Sequence, residues 1–264
     1  RAWDEAMAAS AAKDRFLASL SHELRTPLNP ALLLASENAA SEQIAPNARR
    51  DFEAIRKHIE LEVHLIDDIL DLTRISQGKL SVNLQSVGLH GIIREAVTII
   101  RAEVHEKKIN LAVQLEAEDD AIAGDAVRLQ QVFWNLLRNA VKFTPTGGTI
   151  SIHSNSSNEH GIEVRIVDTG VGLTSEEITR IFGAFAQGRH SEVSEGNRFG
   201  GLGLGLAISR MLVDLHGGSI RAESEGPDLG STFIVAFPTR PAKPEQAEQK
   251  TFSAVSRAPF RVRA

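Results

Sequence analysis

Gly200-Gly201-Leu202-Gly203-Leu204-Gly205-Leu206 is the stretch on which the fold turns. It opens a helical segment, Leu204 to Leu215. Glycines that lead into a helix N-terminus leave backbone N–H groups free to meet phosphate oxygens. A dinucleotide-binding crossover uses the same loop, but it needs an apolar strand directly before the glycines. Here Gly183 to Phe199 is polar and glycine-containing, the composition of a mobile lid. The phosphate loop is therefore expected in a different layered arrangement.

The segments around it define that arrangement. Downstream, Ser219 to Ala222 and Thr232 to Phe237 read as strands, with Gly230-Ser231-Thr232-Phe233 turning into the last one. Upstream, Ile109 to Leu115, Thr149 to His153 and Ile162 to Val167 read as strands. Leu89 to Val104 is helical, and Asp125 is placed to cap a helix running to Val141. Helices mixed with mainly antiparallel strands predict an α+β sandwich over about 85–240. Before Gly78 the period is different. Leu17, Leu20, Leu24, Leu28 and Ala31 step by three and four, which predicts one long helix over 1–38. Ser41 to Asn47 reads as a turn. A second helix is expected from about Ala48 to Ile75, with its seam at Phe52, Ile55, Ile59, Val63, Ile66, Leu70 and Thr73. One such hairpin cannot cover both of its seams, and a second copy would complete a four-helix bundle. The expected domains are 1–80, 81–240 and a linker tail at 241–264.

The chain has 264 residues, 42% hydrophobic and 24% charged, enough for a sizeable core. Its net charge of −5 argues against nucleic acid or an anionic membrane as the main partner. It has no cysteine, which removes disulfides, thiolate nucleophiles and zinc–cysteine sites. It has no run of 18 apolar residues that would span a membrane and no signal-peptide pattern at its start. A first residue of Arg suggests a piece of a longer chain.

Four strings carry chemistry. In Ser21-His22-Glu23-Leu24-Arg25-Thr26-Pro27-Leu28, helical spacing turns His22 away from the leucine seam. An exposed imidazole followed by a carboxylate can attack an electrophile through one nitrogen while the other is polarised. Pro27 and Pro30 each free a backbone carbonyl and allow a bend beyond it. In Asn135-Leu136-Leu137-Arg138-Asn139-Ala140-Val141-Lys142-Phe143-Thr144, the two asparagines share one helix face. Their amide oxygens are hard donors suited to Mg²⁺, and Lys142 lies within reach of a phosphate. In Asp168-Thr169-Gly170-Val171-Gly172-Leu173, a carboxylate at a strand end can accept from an exocyclic amine such as that of adenine. Gly170 and Gly172 let the backbone turn closely around a ring. The fourth string is the glycine loop. Trp134 reads as core, Glu106-Lys107-Lys108 as a solvated helix end, and the other histidines as surface or packing residues.

These strings, in this order and spacing, resemble the sensor histidine kinases of two-component signalling over about residues 10–240. Ser21–Leu28 looks like the H-box, Asn135–Thr144 the N-box, Asp168–Gly172 the G1 box, Gly200–Gly205 the G2 box and Gly230–Thr232 the G3 box. The resemblance implies a dimeric histidine-phosphotransfer hairpin followed by a Bergerat-type ATP-binding domain. It implies phosphorylation of His22 from MgATP and transfer to a receiver-domain aspartate, as the cytoplasmic core of a chain whose sensor lies upstream. By that pattern Glu23 is the general base, and Asn139 holds Mg²⁺ with Asn135 assisting. Lys142 and Arg198 touch phosphates and Asp168 reads the adenine amine. Gly170, Gly172, Gly201, Gly203, Gly205 and Thr232 line the ATP site. Thr26 orients water in the reverse, phosphatase reaction. The chain departs from the pattern at Ile181-Phe182-Gly183-Ala184-Phe185-Ala186, where a proline and another aromatic are usual, at Leu202, where threonine is common, and at Pro30, a second proline. Related ATPases of the gyrase and chaperone type lack a phosphoacceptor hairpin, and a non-catalytic scaffold would not need an intact His22, Glu23, Asn139 and Asp168. Residues 241–259 read as a tether, and Phe260-Arg261-Val262-Arg263-Ala264 as the first strand of a receiver without a partner here.

Overall fold

The structure is a computed structural model and describes residues 24–76, 80–157, 161–186, 203–238 and 249–251. The chain divides into two compact units at the 77/78 junction.

In the first unit residues 24–40 form α1, a turn spans 41–45, and α2 runs Pro46–Ser76. The helix opens on Pro46 itself, two residues before the expected start. A first-turn N–H has no intrahelical acceptor, so proline loses nothing there. Ser41 tightens the turn: its hydroxyl accepts from the Gln43 N–H at 3.3 Å, and its carbonyl from the Ile44 N–H at 3.4 Å. Arg25 of α1 reaches Asp67 of α2, its Nε donating to Oδ1 at 3.0 Å. Among the described residues of this unit only Ala35 and Leu70 are buried apolar side chains. Leu24, Leu33, Leu34, Ile55 and Ile69 are between 41% and 59% exposed. A single hairpin thus leaves much of its apolar surface in water. Residues 1–23 of the expected first helix lie outside the described residues.

The second unit runs β1 (Ser81–Asn83), β2 (Gln85–Gly88), α3 (Leu89–Glu106), β3 (Asn110–Leu115), β4 (Ala121–Gly124), α4 (Ala126–Phe143), β5 (Thr149–Ser157), β6 (Gly161–Asp168), α5 (Ser175–Arg180), α6 (Gly205–Leu215), β7 (Ser219–Glu223), β8 (Ser231–Pro238) and β9 (Gln249–Thr251). Five strands make one sheet in the order β3-β5-β6-β8-β7. β3 and β5 are parallel and the other neighbours antiparallel. The parallel pair follows from the connection: the chain passes through β4 and α4 before re-entering the sheet. β6 alternates strictly, with Ile162, Val164, Ile166 and Asp168 buried. On its opposite face Glu163 accepts from Arg165 at 2.8 Å and Arg221 at 3.2 Å. α3, α4 and α6 pack together on the buried side.

Four elements were not expected. β2 pairs antiparallel with β4, and α5 is a single capped turn and a half. β9, inside the segment read as a tether, pairs antiparallel with β1. An open strand edge such as β1 offers unpaired N–H and C=O groups to any passing chain. Phe260–Ala264 lie outside the described residues.

Candidate functional site

α4 carries the site's first wall. Leu129, Val132, Phe133, Leu136, Leu137, Ala140 and Val141 are buried along one face. Both ends of the helix are fixed. At the start, Asp125 Oδ1 accepts from the N–H groups of Val127 at 3.2 Å and Arg128 at 3.3 Å, the expected N-cap. At the end, the Lys107 ammonium donates to the carbonyls of Val141, Lys142 and Thr144 at 2.7, 3.0 and 3.0 Å. Lys107 is therefore not a solvated helix end. It is a cation on the carbonyl terminus of a neighbouring helix, where both hydrogen bonding and the helix dipole favour it.

Asn135 is buried in the helix pair. Its amide nitrogen donates to the Gly205 carbonyl at 3.3 Å and the Ser209 hydroxyl at 3.4 Å, both on α6. Asn139, one turn on, is half-buried. Lys142 is half-buried too, with its ammonium 4.9 Å from the Phe143 ring centroid. Burial, with the Arg138 charge adding to it, pulls the Lys142 pKa below the usual lysine value. Trp134, expected in the core, is only half-buried and lies under the Arg138 guanidinium at 5.1 Å.

The second wall is the end of β6. Asp168 is 4% exposed. Its Oδ1 accepts from the Gly170 N–H at 2.8 Å and its Oδ2 from the Ser231 hydroxyl at 2.5 Å. Burial raises its pKa above the usual carboxylate value, against the pull of those two donors. Gly170 lies so close that a Cβ there would sit 2.6 Å from both Asp168 Oδ1 and the Phe143 carbonyl. The Val171 N–H donates to the Phe143 carbonyl at 3.3 Å, and the Gly230 N–H to the Gly170 carbonyl at 3.1 Å. The end of α4, the loop after β6 and the loop before β8 thus converge on Asp168. Ser231 was not singled out in the sequence. The register pairs Asp168 with Ser231 and Val167 with Thr232, so strand alternation turns Thr232 to the other face of the sheet.

The third wall is the entry to α6. Gly203 has φ +71°, and a Cβ would come 2.5 Å from the Ala186 carbonyl, so only glycine fits. Leu204, the N-cap of α6, brings no side-chain acceptor to the first N–H groups of the helix. Phe182 packs edge-on against Phe233 at 6.4 Å, and Phe185 is exposed with φ +64°. A 450 Å³ cleft lined by Thr179, Arg180, Phe182, Arg210 and residues 183–186 lies beside these and touches none of Asp168, Asn139 or Lys142. His22, Glu23, Arg198 and Gly201 lie outside the described residues, and Thr26 is exposed on α1.

Residues 124–241 match the family described as histidine kinase-, DNA gyrase B- and HSP90-like ATPase. Residues 12–78 match the His Kinase A phospho-acceptor domain. The chain belongs to the sensor histidine kinase family. The chain is 35% identical to the signal transduction histidine-protein kinase BarA of Escherichia coli over 232 residues, 86% of this chain and 25% of BarA. It is 37% identical to the circadian input-output histidine kinase CikA of Synechococcus elongatus over 237 residues, 88% of this chain and 31% of CikA. It therefore spans between a quarter and a third of these relatives. Among solved structures it resembles full-length ShkA in complex with AMPPNP, with a TM-score of 0.65 and 28% identity over 91% of this chain and 47% of that one. No helix among the described residues is long and apolar enough to cross a membrane. The Asp168 wall lies within the segment that matches the ATPase family.

Proposed function

We propose that this chain phosphorylates His22 from ATP and passes the phosphoryl group to an aspartate of a receiver domain. The observation that carries the nucleotide half is the buried Asp168 carboxylate, held by Ser231 and Gly170 where the end of α4 meets the loops after β6 and before β8. A carboxylate kept in so dry a place is matched by a neutral ligand with an N–H donor, as an adenine amine is. Lys142 and Arg198 would hold the phosphates, with Gly201, Gly203 and Gly205 allowing close approach at the N-terminus of α6. Asn139 fits Mg²⁺: it is a hard oxygen donor, half-buried, and no acidic or histidine cluster among the described residues competes for a metal. Asn135 shares that face, although its amide nitrogen is bound to α6, leaving only its oxygen for a cation. When bound, the metal would neutralise charge on the phosphates. The His22 imidazole attacks the γ-phosphorus, the N–P bond forms as the bond to ADP breaks, and Glu23 takes the proton from the other ring nitrogen.

The open seams of the hairpin support a homodimer. The expected domains, 1–80, 81–240 and a 241–264 tail, fit this division of labour, and the core would work in the cytoplasm. Incubation with γ-labelled ATP tests the proposal. An acid-labile, alkali-stable label that disappears in His22→Gln is expected; label retained by that variant would overturn it.

A further inference from the structure

His216, the C-cap residue of α6, is 6% exposed and is absorbed by none of the motifs above. Its Nδ1 lies 2.6 Å from the Leu212 carbonyl, and its Nε2 lies 3.0 Å from the Asp125 backbone nitrogen. A carbonyl can only accept and a backbone N–H can only donate, so the ring must carry its proton on Nδ1 and accept at Nε2. It is a neutral imidazole bridging the end of α6 to the start of α4.

We propose that His216 is a positioning residue for the nucleotide site, acting through Asp125 to hold α4 and α6 at their working separation. The two helices run antiparallel and are joined by polar ties at two places. One is His216 with Asp125. The other is Asn135 with Gly205 and Ser209. Asp125 to Asn135 and Gly205 to His216 each span about 15 Å of helix at a rise of about 1.5 Å per residue. The site residues cluster at the second tie: Asn139 is one turn beyond Asn135, and Gly203 lies just ahead of Gly205. With both ties made, the glycine loop cannot drift from Asn139; with the far one broken, α6 can pivot about Asn135. Asp125 also accepts the Asn83 N–H of β1 at 3.1 Å on Oδ2, so the same node anchors the strand that follows the 77/78 junction.

Protonation undoes the tie, because an Nε2–H would point at the Asp125 N–H, donor against donor. The surroundings of the ring are the Phe237 ring of β8, edge-on at 6.2 Å, and Gly124 of β4. Asp125 is the titratable group that acts on it, and its charge favours the proton, as does the Leu212 carbonyl. Burial outweighs both and holds the pKa below the usual histidine value. The neutral bridge therefore persists at neutrality and fails only as pH falls through that lowered value.

The inference rests on the nucleotide reading above. The test is the affinity of the whole chain for Mg-AMP-PNP, by calorimetry, in wild type, His216→Gln and His216→Leu. Glutamine keeps an acceptor and never ionises. Near neutral pH the glutamine variant should bind within about twofold of wild type and the leucine variant about fivefold more weakly, the weight of one hydrogen bond. As pH falls below the ordinary histidine value of about 6.5, down to the acid limit of folding, wild type should lose up to about fivefold more affinity than His216→Gln. Ionisation of the ligand is common to both and cancels. A ratio of wild type to His216→Gln that does not change with pH would overturn the proposal. So would a folded His216→Leu that binds like wild type. If circular dichroism shows that His216→Leu does not fold, the wild type to glutamine ratio decides alone. Wild type that fails to bind Mg-AMP-PNP near neutrality would overturn the nucleotide reading itself, and the positioning role with it.

Discussion

Asp168 is a carboxylate that burial disfavours and a ligand rewards. Its raised pKa means that the folded state resists its ionisation. For an acid with a folded pKa above the unfolded one, the stabilising contribution is complete below the unfolded value and is lost as pH rises through the folded value. Wild type should therefore lose stability relative to Asp168→Asn as pH rises from the ordinary carboxylate value, about 3.9. A thermal melt series of the two proteins reads this directly, and parallel curves would refute it. The same substitution should weaken ATP by about 1–3 kcal/mol, because an amide can turn a donor toward the adenine amine. Unchanged affinity by calorimetry would remove Asp168 from the site. Asn139→Ala should behave differently, keeping some nucleotide binding while Mg²⁺-dependent turnover is lost; a magnesium titration of labelling separates the two. Asp168 was legible in the sequence because it ends an apolar strand just before two glycines. Ser231 was not, because its role exists only through the β6–β8 register, which no local pattern announces.

At the scale of elements, α4 is a rod held at both ends. Its N-cap was legible, since Asp125 stands directly before an apolar-periodic run. Its C-terminal clamp was not. Lys107 belongs to another helix 34 residues away from Val141, and in sequence it looks like any exposed lysine. Removing the ammonium in Lys107→Met leaves three carbonyls short of a donor and should cost roughly 1–3 kcal/mol in a denaturant melt. It should also raise the KM for ATP, since Asn139 and Lys142 lie on the freed last turn; a loss of stability without any change in KM would confine Lys107 to the fold. α5 illustrates a legible signal passed over. Thr174 and Glu177 form a reciprocal capping box, the Glu177 N–H donating to Thr174 Oγ1 at 3.2 Å and the Thr174 N–H to Glu177 Oε2 at 2.9 Å. β2 and β4 are four residues each and gain their identity only by finding one another.

At the scale of the whole molecule, the change of period at Gly78 was enough to separate two units, because helical seams and alternating strands demand different partners. What period cannot reveal is how much of a seam is satisfied within one copy. The hairpin answers that: Leu24 and Ile55 of the two seams stay 41% and 46% exposed, and off the seams Leu33, Leu34 and Ile69 are open as well. Burying such side chains is worth about 1.5–3 kcal/mol each, more than an isolated pair of helices can forgo. A second hairpin would supply the cover by packing against that open apolar surface. Placing a charge there, as in Leu34→Glu, should shift the protein from dimer to monomer in sedimentation equilibrium. ATP binding should survive, because the Asp168 walls belong to the other unit. Phosphorylation of His22 should then report which subunit serves which histidine: loss of label in the monomer means transfer between subunits, and retained label means transfer within one. A Leu34→Glu protein that stays dimeric at the concentrations where wild type does would show that this face is not the one the second copy covers.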